Sequence, residues 1–120
     1  MTSGIRASIV AAHLAEELAK SGNVVAAGEE CARTAELLQD TLDDPANVNQ
    51  RRLRVLAYTG LGDAYVVLGD RRAARDIYQR ALEIMQELRD RGIADADDLA
   101  EMEEVARKAA ECEKALATKE

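Results

Sequence analysis

The feature of this sequence that most restricts its fold is an internal repeat with a period of 47 residues. When the chain is shifted against itself by that distance, residues of the same kind coincide: Leu14 with Leu61, Ala15 with Gly62, Leu18 with Tyr65, Gly22 with Gly69 and Ala27 with Ala74. The shift also carries Tyr58 onto Val105, so the pattern continues into a third, unfinished unit. A period in this range is typical of stacked helical hairpins.

Apolar periodicity and the residues between the apolar runs divide the chain into five helices. They predict helix one over residues 5–18, helix two over about 24–42, helix three up to residue 68, helix four over about 71–91 and helix five from residue 95. The predicted fold class is therefore all-α, with the helices paired as antiparallel hairpins.

Local signals predict how several of these helices begin and end. Asn23 and Asp70 are candidate N-caps, and Asn47 followed three residues later by Gln50 has the spacing of a capping box. Gly69 is expected to end helix three, and the glycine at position 92, followed by Ile93, fits a left-handed C-cap at the end of helix four.

The composition limits which residue types can form the core and which classes of partner the protein can bind. Phe and Trp are absent and only three residues are Tyr, so the core must be built from Ala, Leu, Val and Ile. A net charge of -7 repels a phosphate backbone, and no nucleic-acid partner is expected. The arginine-rich segments 51–54 and 71–75 are interpreted as solvated helix faces.

Neither an 18-residue apolar run nor a secretory pattern is visible, so we expect a cytoplasmic protein without membrane contact.

Residues able to carry chemistry are few and scattered. Cys31 and Cys112 lie outside any paired-cysteine motif and are interpreted as reduced, buried thiols. His13 is the only histidine, and no nucleophile and base are recognisable as a pair. The acidic residues 95–101 fit a helix start, where negative charge is favoured, and lack the glycine of a calcium loop. We expect no catalytic residue, no metal site and no cofactor, and the chain is not expected to be an enzyme.

The second unit carries a recognisable motif, Tyr58-x-x-Leu61-Gly62-x-x-Tyr65-x-x-x-Gly69-x-x-x-x-Ala74-x-x-x-Tyr78-x-x-Ala81-Leu82. This motif resembles the tetratricopeptide repeat, in a long-helix variant of about two and a half units. The resemblance implies one domain over residues 1–120, a right-handed solenoid with repeat one at 8–41, repeat two at 55–88 and a C-terminal capping helix at 95–118. In this arrangement Leu61, Tyr65 and Tyr78 fill the space between helices that approach at small residues.

The resemblance also implies a working surface, because the first helix of each hairpin in this family lines a concave groove. The groove positions expected here are Ala12, His13, Glu16, Lys20, Leu56, Thr59, Asp63, Val66, Glu103, Ala106, Arg107 and Ala110. Thr59 and Asp63 are expected to be exposed there. The mixed charge and small residues of these positions suit an extended or helical peptide.

Three functions remain open at this point. The first is a protein-interaction module or scaffold that binds a peptide or protein partner in the groove. The second is a structural homo-oligomer, for example a homodimer, in which terminal helices pair and bury Ile5, Ile9, Met102 and Val105. The third, a small-ligand carrier or enzyme with a pocket between hairpins, is the least favoured because no polar groups converge in the sequence.

Overall fold

The computed structural model describes residues 3–118, which form five α-helices and no strand. The all-α prediction and the number of helices are confirmed. The helices are α1 (Ser3–Lys20), α2 (Val24–Asp40), α3 (Val48–Leu68), α4 (Arg71–Asp90) and α5 (Ala96–Thr118). None of these helices is both long enough and apolar enough to cross a membrane.

Three helices end in the same way, with a glycine in the left-handed region. Gly69 has a φ of 84°, a conformation that a residue with a Cβ rarely adopts, and Gly22 repeats it 47 residues earlier with a φ of 89°. In each case the residue after the glycine donates a backbone hydrogen bond to a carbonyl five residues back: Asn23 to Leu18, Asp70 to Tyr65 and Ile93 to Leu88. The predicted helix stops are thus confirmed.

The predicted N-caps are confirmed for α3 and α4. Asn47 Oδ1 accepts from the Gln50 N–H at 3.0 Å, and Asp70 Oδ1 accepts from the Ala73 N–H at 3.1 Å. The reciprocal half of the capping box is absent, because Gln50 Oε1 accepts from the Asp44 N–H instead. At α2 the predicted side-chain cap is wrong, since Asn23 makes no capping hydrogen bond.

Two acidic residues cap the start of α5 reciprocally. Asp95 Oδ1 accepts from the Asp98 N–H at 2.8 Å, and Asp98 Oδ2 accepts from the Asp95 N–H at 3.0 Å. Each carboxylate satisfies an amide that has no partner within the helix. The interpretation of this acidic segment as a helix start is therefore confirmed for these two residues.

The helices pack as neighbours along the chain, with one additional contact. α1 packs closely against both α2 and α3, α3 against α4, and α4 against α5, while α2 touches α3 less extensively. The principal extents are 40 × 33 × 20 Å, and the shortest accommodates two layers of helices at about 10 Å each.

Small residues bring α1 and α3 together. A Cβ added to Gly60 would lie 3.1 Å from the Ala12 Cβ, and Ala57 and Ala64 are fully buried. The crossing of α3 and α4 is tighter still, because a Cβ added to Gly62 would overlap the Tyr78 ring. The prediction that small residues permit these approaches is confirmed.

The main core lies around α4, which is covered by α3 on one side and by α5 on the other. Its buried residues are Ala74, Tyr78, Ala81, Leu82, Ile84, Met85 and Leu88. A second, smaller cluster joins Ala15, Cys31, Leu61 and Ala64 where α1, α2 and α3 meet. Tyr65 is only partly buried and packs against both clusters.

The position of α5 differs from the one that α3 occupies in the preceding unit. α3 packs against α1 and only lightly against α2, whereas α5 packs against α4 and reaches α3 mainly through side chains. Two ion pairs bridge the gap, Arg52 to Asp98 at 2.8 Å and Lys108 to Asp63 at 3.0 Å. These side chains are too large for the close approach that alanine and glycine allow between α1 and α3.

The interpretation of residues 51–54 as a solvated face is wrong for two arginines. Arg54 is 3% exposed and donates to the carbonyls of Leu38 and Thr41, at the end of α2. Arg51 is also buried and pairs with Asp43 and Glu87. A guanidinium can enter a core when carbonyls and carboxylates satisfy it, and the carbonyl end of a helix favours positive charge.

The residues expected to form a homo-oligomer are also placed differently. Ile5 and Val105 are 0% exposed within the single chain, and Ile9 and Met102 are partly buried. Ile5 and Val105 therefore have no surface left to offer to a second copy, and the prediction is wrong for these two residues.

Candidate partner-binding groove

The predicted groove positions lie on three helices, of which α3 and α5 run side by side in the same direction. Parallel orientation follows from the two bridges, since Arg52 and Asp63 of α3 meet Asp98 and Lys108 of α5 in the same order. The gap between these helices, which we call the α3–α5 groove, holds two clefts. Their centres are about 16 Å apart along α3, from eleven residues at about 1.5 Å each.

The apolar cleft, of about 250 Å³, lies at the N-terminal end of the groove. It is lined by Arg52, Val55, Leu56, Met85, Leu88, Asp98 and Glu101. Val55, Met85 and Leu88 are buried, whereas Leu56 is 51% exposed. Apolar surface therefore continues from the core to the solvent.

Polar residues border the apolar cleft. Arg52 donates to Asp98, and this hydrogen bond, against the opposing effect of burial, holds the pKa of the Asp98 carboxyl below its usual value. Glu101 makes no ion pair with any residue in the described part of the chain. Its carboxylate is the one charge at this cleft that is free for a partner.

The charged cleft, of about 310 Å³, lies at the other end of the groove. It is lined by Glu16, Asp63, Val66, Val67, Arg71, Tyr78, Arg107, Lys108, Glu111 and Cys112. Asp63 accepts from Tyr78 Oη at 2.6 Å and from Lys108 Nζ at 3.0 Å. Burial, and then the bond to Asp63, raise the pKa of Tyr78, so the phenol stays a donor.

The cations of the charged cleft differ in how they are paired. Arg107 pairs with Glu104 and Glu111, and the hydrogen bond that Arg107 donates to Glu104 raises the Arg107 pKa. Arg71 lines the same cleft at the start of α4 and makes no ion pair with the described residues. Arg71 is therefore the cation that an anionic group in this cleft would meet.

Two predicted groove positions are buried. Ala12 is 1% exposed because it lies against Gly60, and Thr59 is 8% exposed. The prediction that Thr59 is exposed is wrong, and Asp63 is only partly exposed. The reason is that α3 contacts α1, α2 and α4 and is bridged to α5, so few of its side chains reach solvent. The Thr59 hydroxyl is buried and finds no hydrogen-bond partner among residues 3–118.

The remaining predicted positions divide into two groups. Glu16, Asp63, Val66 and Arg107 come together in the charged cleft, and Leu56 lines the apolar cleft. His13, Lys20, Glu103, Ala106 and Ala110 are exposed and lie outside both clefts. Lys20 instead pairs with Glu16 at 3.5 Å on its own helix.

Several cleft residues were missed by the sequence prediction. Arg71, Tyr78, Met85 and Leu88 belong to α4, which was not expected to reach the groove. The position of α5 beside α3 could have been predicted from the sequence. Opposite charges recur 45 or 46 residues apart, at Asp63 and Lys108 and at Arg52 and Asp98, and these are the pairs that join the two helices.

The two cysteines are free and buried, as predicted. Burial, and then the charge of Glu30, raise the pKa of Cys31 to about 11, and burial also raises the pKa of Cys112. Both therefore stay protonated at neutral pH, and a thiol in that form is a poor nucleophile.

Among residues 3–118, no group of three or more His, Cys, Asp and Glu side chains could hold a metal ion. No protein-family profile, curated protein or solved structure matches this chain.

Proposed function

We propose that this chain is a non-enzymatic interaction module, a scaffold of the tetratricopeptide-repeat type, whose α3–α5 groove binds a peptide segment of a partner protein. The observation that carries this proposal is the apolar cleft, where buried Val55, Met85 and Leu88 meet half-exposed Leu56. An apolar opening with charged borders suits one anchoring side chain of a protein partner.

The two charged residues of the groove that are unpaired within residues 3–118 indicate which charges the partner should carry. Glu101, beside the apolar cleft, favours a Lys or Arg next to the anchoring residue. Arg71, in the charged cleft, favours an acidic group. Since the clefts are about 16 Å apart along α3, an extended peptide would span them with about five residues at about 3.3 Å each.

The helix arrangement supports the repeat assignment only in part. Gly22 and Gly69 end α1 and α3 in the same conformation, 47 residues apart. α1, α3 and α5 contribute to the charged cleft, as expected of the first helices of successive hairpins. The displacement of α5 towards α4 departs from regular stacking, and it is what opens the groove.

The state of the polar groups supports a role in binding over catalysis. Asp63, the central carboxylate of the charged cleft, is held by Tyr78 and Lys108 and serves to bridge helices. The free thiols of Cys31 and Cys112 fit a reducing compartment, and we therefore propose a cytoplasmic location.

The test is selection from a random peptide library displayed on phage, followed by affinity measurements on synthetic copies of the selected peptides. We expect the wild type to select peptides with a large apolar residue next to Lys or Arg. Leu56→Glu should weaken their binding by at least about tenfold, which corresponds to a free-energy loss of about 1.4 kcal/mol. Leu42→Glu is the matched control, because Leu42 is also exposed and lies outside both clefts.

A second variant tests the charge assignment. Glu101→Lys should change the selected residue beside the anchor from basic to acidic while the apolar preference remains. The proposal is overturned if no peptide is enriched, or if Leu56→Glu and Leu42→Glu weaken binding equally while circular dichroism shows both variants to be folded.

A further inference from the structure

The outer face of α1 carries apolar side chains that nothing in the described chain covers. Val10 is 67% exposed and Leu14 is 46% exposed, one turn apart. Their counterparts 47 residues later, Ala57 and Leu61, are at most 1% exposed. α1 packs against α3, and Leu61 joins the cluster formed with α1 and α2. The corresponding face of α1 has no such neighbour within residues 3–118.

These side chains form a regular stripe. Residues 7, 10, 14 and 17 are spaced by three, four and three, which is the seam spacing of a coiled coil. Ala7, Val10 and Leu14 make the seam apolar, and Glu17 ends it. Arg6, adjacent to Ala7, borders the opposite end and makes no ion pair with the described residues.

The charges at the two ends decide how a second copy would pack. In a parallel pair, Glu17 would face Glu17 of the second copy, and the like charges would repel. In an antiparallel pair about a twofold axis near residue 12, Val10 faces Leu14 of the second copy. Glu17 then lies beside Arg6 of the second copy, and the twofold axis repeats both contacts. Among the residues that the structure describes, the ion-pair partner of Glu17 is Lys20, at a long distance of 3.9 Å.

The apolar surface continues beyond α1. Val24 and Val25 open α2 directly after the turn that ends α1, and they are 60% and 77% exposed. In the antiparallel arrangement they would lie beside the start of α1 in the second copy. This extension matters because stable interfaces bury about 1,200–2,000 Å², more than one short helix stripe offers.

We propose that α1 mediates a twofold homodimer of this chain, with antiparallel α1 helices joined through Val10 and Leu14 and bordered by reciprocal Arg6–Glu17 ion pairs. None of these residues lines either cleft of the groove, so the inference does not depend on the peptide-binding proposal.

Sedimentation equilibrium over a wide concentration range tests the dimer. The wild type should show a reversible monomer–dimer equilibrium, and Leu14→Glu should be monomeric throughout. Leu99→Glu is the matched control, because Leu99 is about equally exposed but lies on α5, and this variant should dimerise like the wild type.

Charge exchange tests the antiparallel arrangement. Arg6→Glu or Glu17→Arg alone should raise the dimer dissociation constant about tenfold, since both pairs become repulsive. The double variant should restore the wild-type value, because the pairs re-form with reversed sign. A wild type that stays monomeric overturns the proposal. So does a dimer that Leu14→Glu leaves intact, or one that the double exchange fails to restore.

Discussion

Gly62 and Tyr78 illustrate how single side chains set the distance between two helices. The Tyr78 ring occupies the space that a side chain at position 62 would need, since a Cβ there would lie 2.7 Å from the Tyr78 Cδ1. The corresponding pair of the first unit, 47 residues earlier, is Ala15 and Cys31, both buried in one cluster. In the second unit the smallest residue, Gly62, faces the large Tyr78, whereas in the first unit the larger Ala15 faces the smaller Cys31. A larger side chain on one helix is therefore matched by a smaller one on its neighbour.

Gly62→Ala should destabilise the protein by about 1–3 kcal/mol, because the ring of Tyr78 is enclosed and cannot give way without moving α4. Urea unfolding followed by circular dichroism measures this change. Gly28→Ala is the matched control, since Gly28 lies inside α2 with nothing within 4 Å of its added Cβ. The control should be stabilised by about 0.5–1 kcal/mol. Equal effects of the two substitutions would contradict the steric role of Gly62.

At the level of helices, α5 is fixed to its neighbours by two different means. Its apolar face, including Val105 and Ala109, joins the core around α4. Its charged residues bridge to α3, where Asp98 accepts from Arg52 and also caps the start of α5. One carboxylate thus holds both the beginning of the helix and its position against α3.

The Asp98 carboxylate should make stability depend on pH in the acid range. The bond from Arg52 lowers the pKa of Asp98 in the folded state below its unfolded value, so the stabilisation is complete at neutral pH. It is lost as the pH falls from the usual value of 3.8 through the lowered one. Asp98→Asn should therefore be less stable than the wild type by about 1 kcal/mol at pH 7. The difference should shrink as the pH falls below that range, as followed by urea unfolding at a series of pH values.

Glu104→Gln provides the control for this prediction. Arg107 also lowers the pKa of Glu104, but this carboxylate is solvent-exposed, and its interaction with Arg107 on the same helix is screened. We expect the unfolding free energy of this variant to follow that of the wild type closely at every pH. An Asp98→Asn variant that differs from the wild type by the same amount at neutral and acid pH would contradict the role of the charge.

What the sequence could predict at this scale depends on the range of the interactions. The ends of α3 and α4 follow from Asn47, Gly69 and Asp70, whose effects reach only a few residues. The burial of Arg54 could not be predicted, because its acceptors belong to the end of another helix. For the same reason Thr59 was misplaced: its exposure depends on the four helices around α3.

Within residues 3–118 the helices pack mainly against their neighbours along the chain, and α1 and α5 share only the charged cleft without packing closely against each other. α1 and α2 reach the rest through α3, whereas α5 reaches it mainly through α4. Stability in such an array is close to a sum of local terms and nearest-neighbour interfaces. The radius of gyration, 14.1 Å, is close to the value of about 13.6 Å expected for a compact chain of this length.

Because each helix packs mainly against its neighbours along the chain, we predict that destabilising α5 leaves α1 and α2 nearly unchanged. Val105 is fully buried in the core around α4, so Val105→Ala should cost about 2 kcal/mol by removing buried methyl groups. Native-state hydrogen exchange should then be faster for amides in α5, and to a smaller extent in α4, than in the wild type. Amides in α1 and in the part of α3 that faces it should change least, because they can stay folded while α5 opens. Leu42→Ala, at an exposed position just after α2, should leave exchange in α5 unchanged. If Val105→Ala instead accelerates exchange equally in all helices, the prediction is wrong and the molecule opens as one cooperative unit. The small-residue contact between α1 and α3 would then be too weak to keep these two helices folded once α5 has opened.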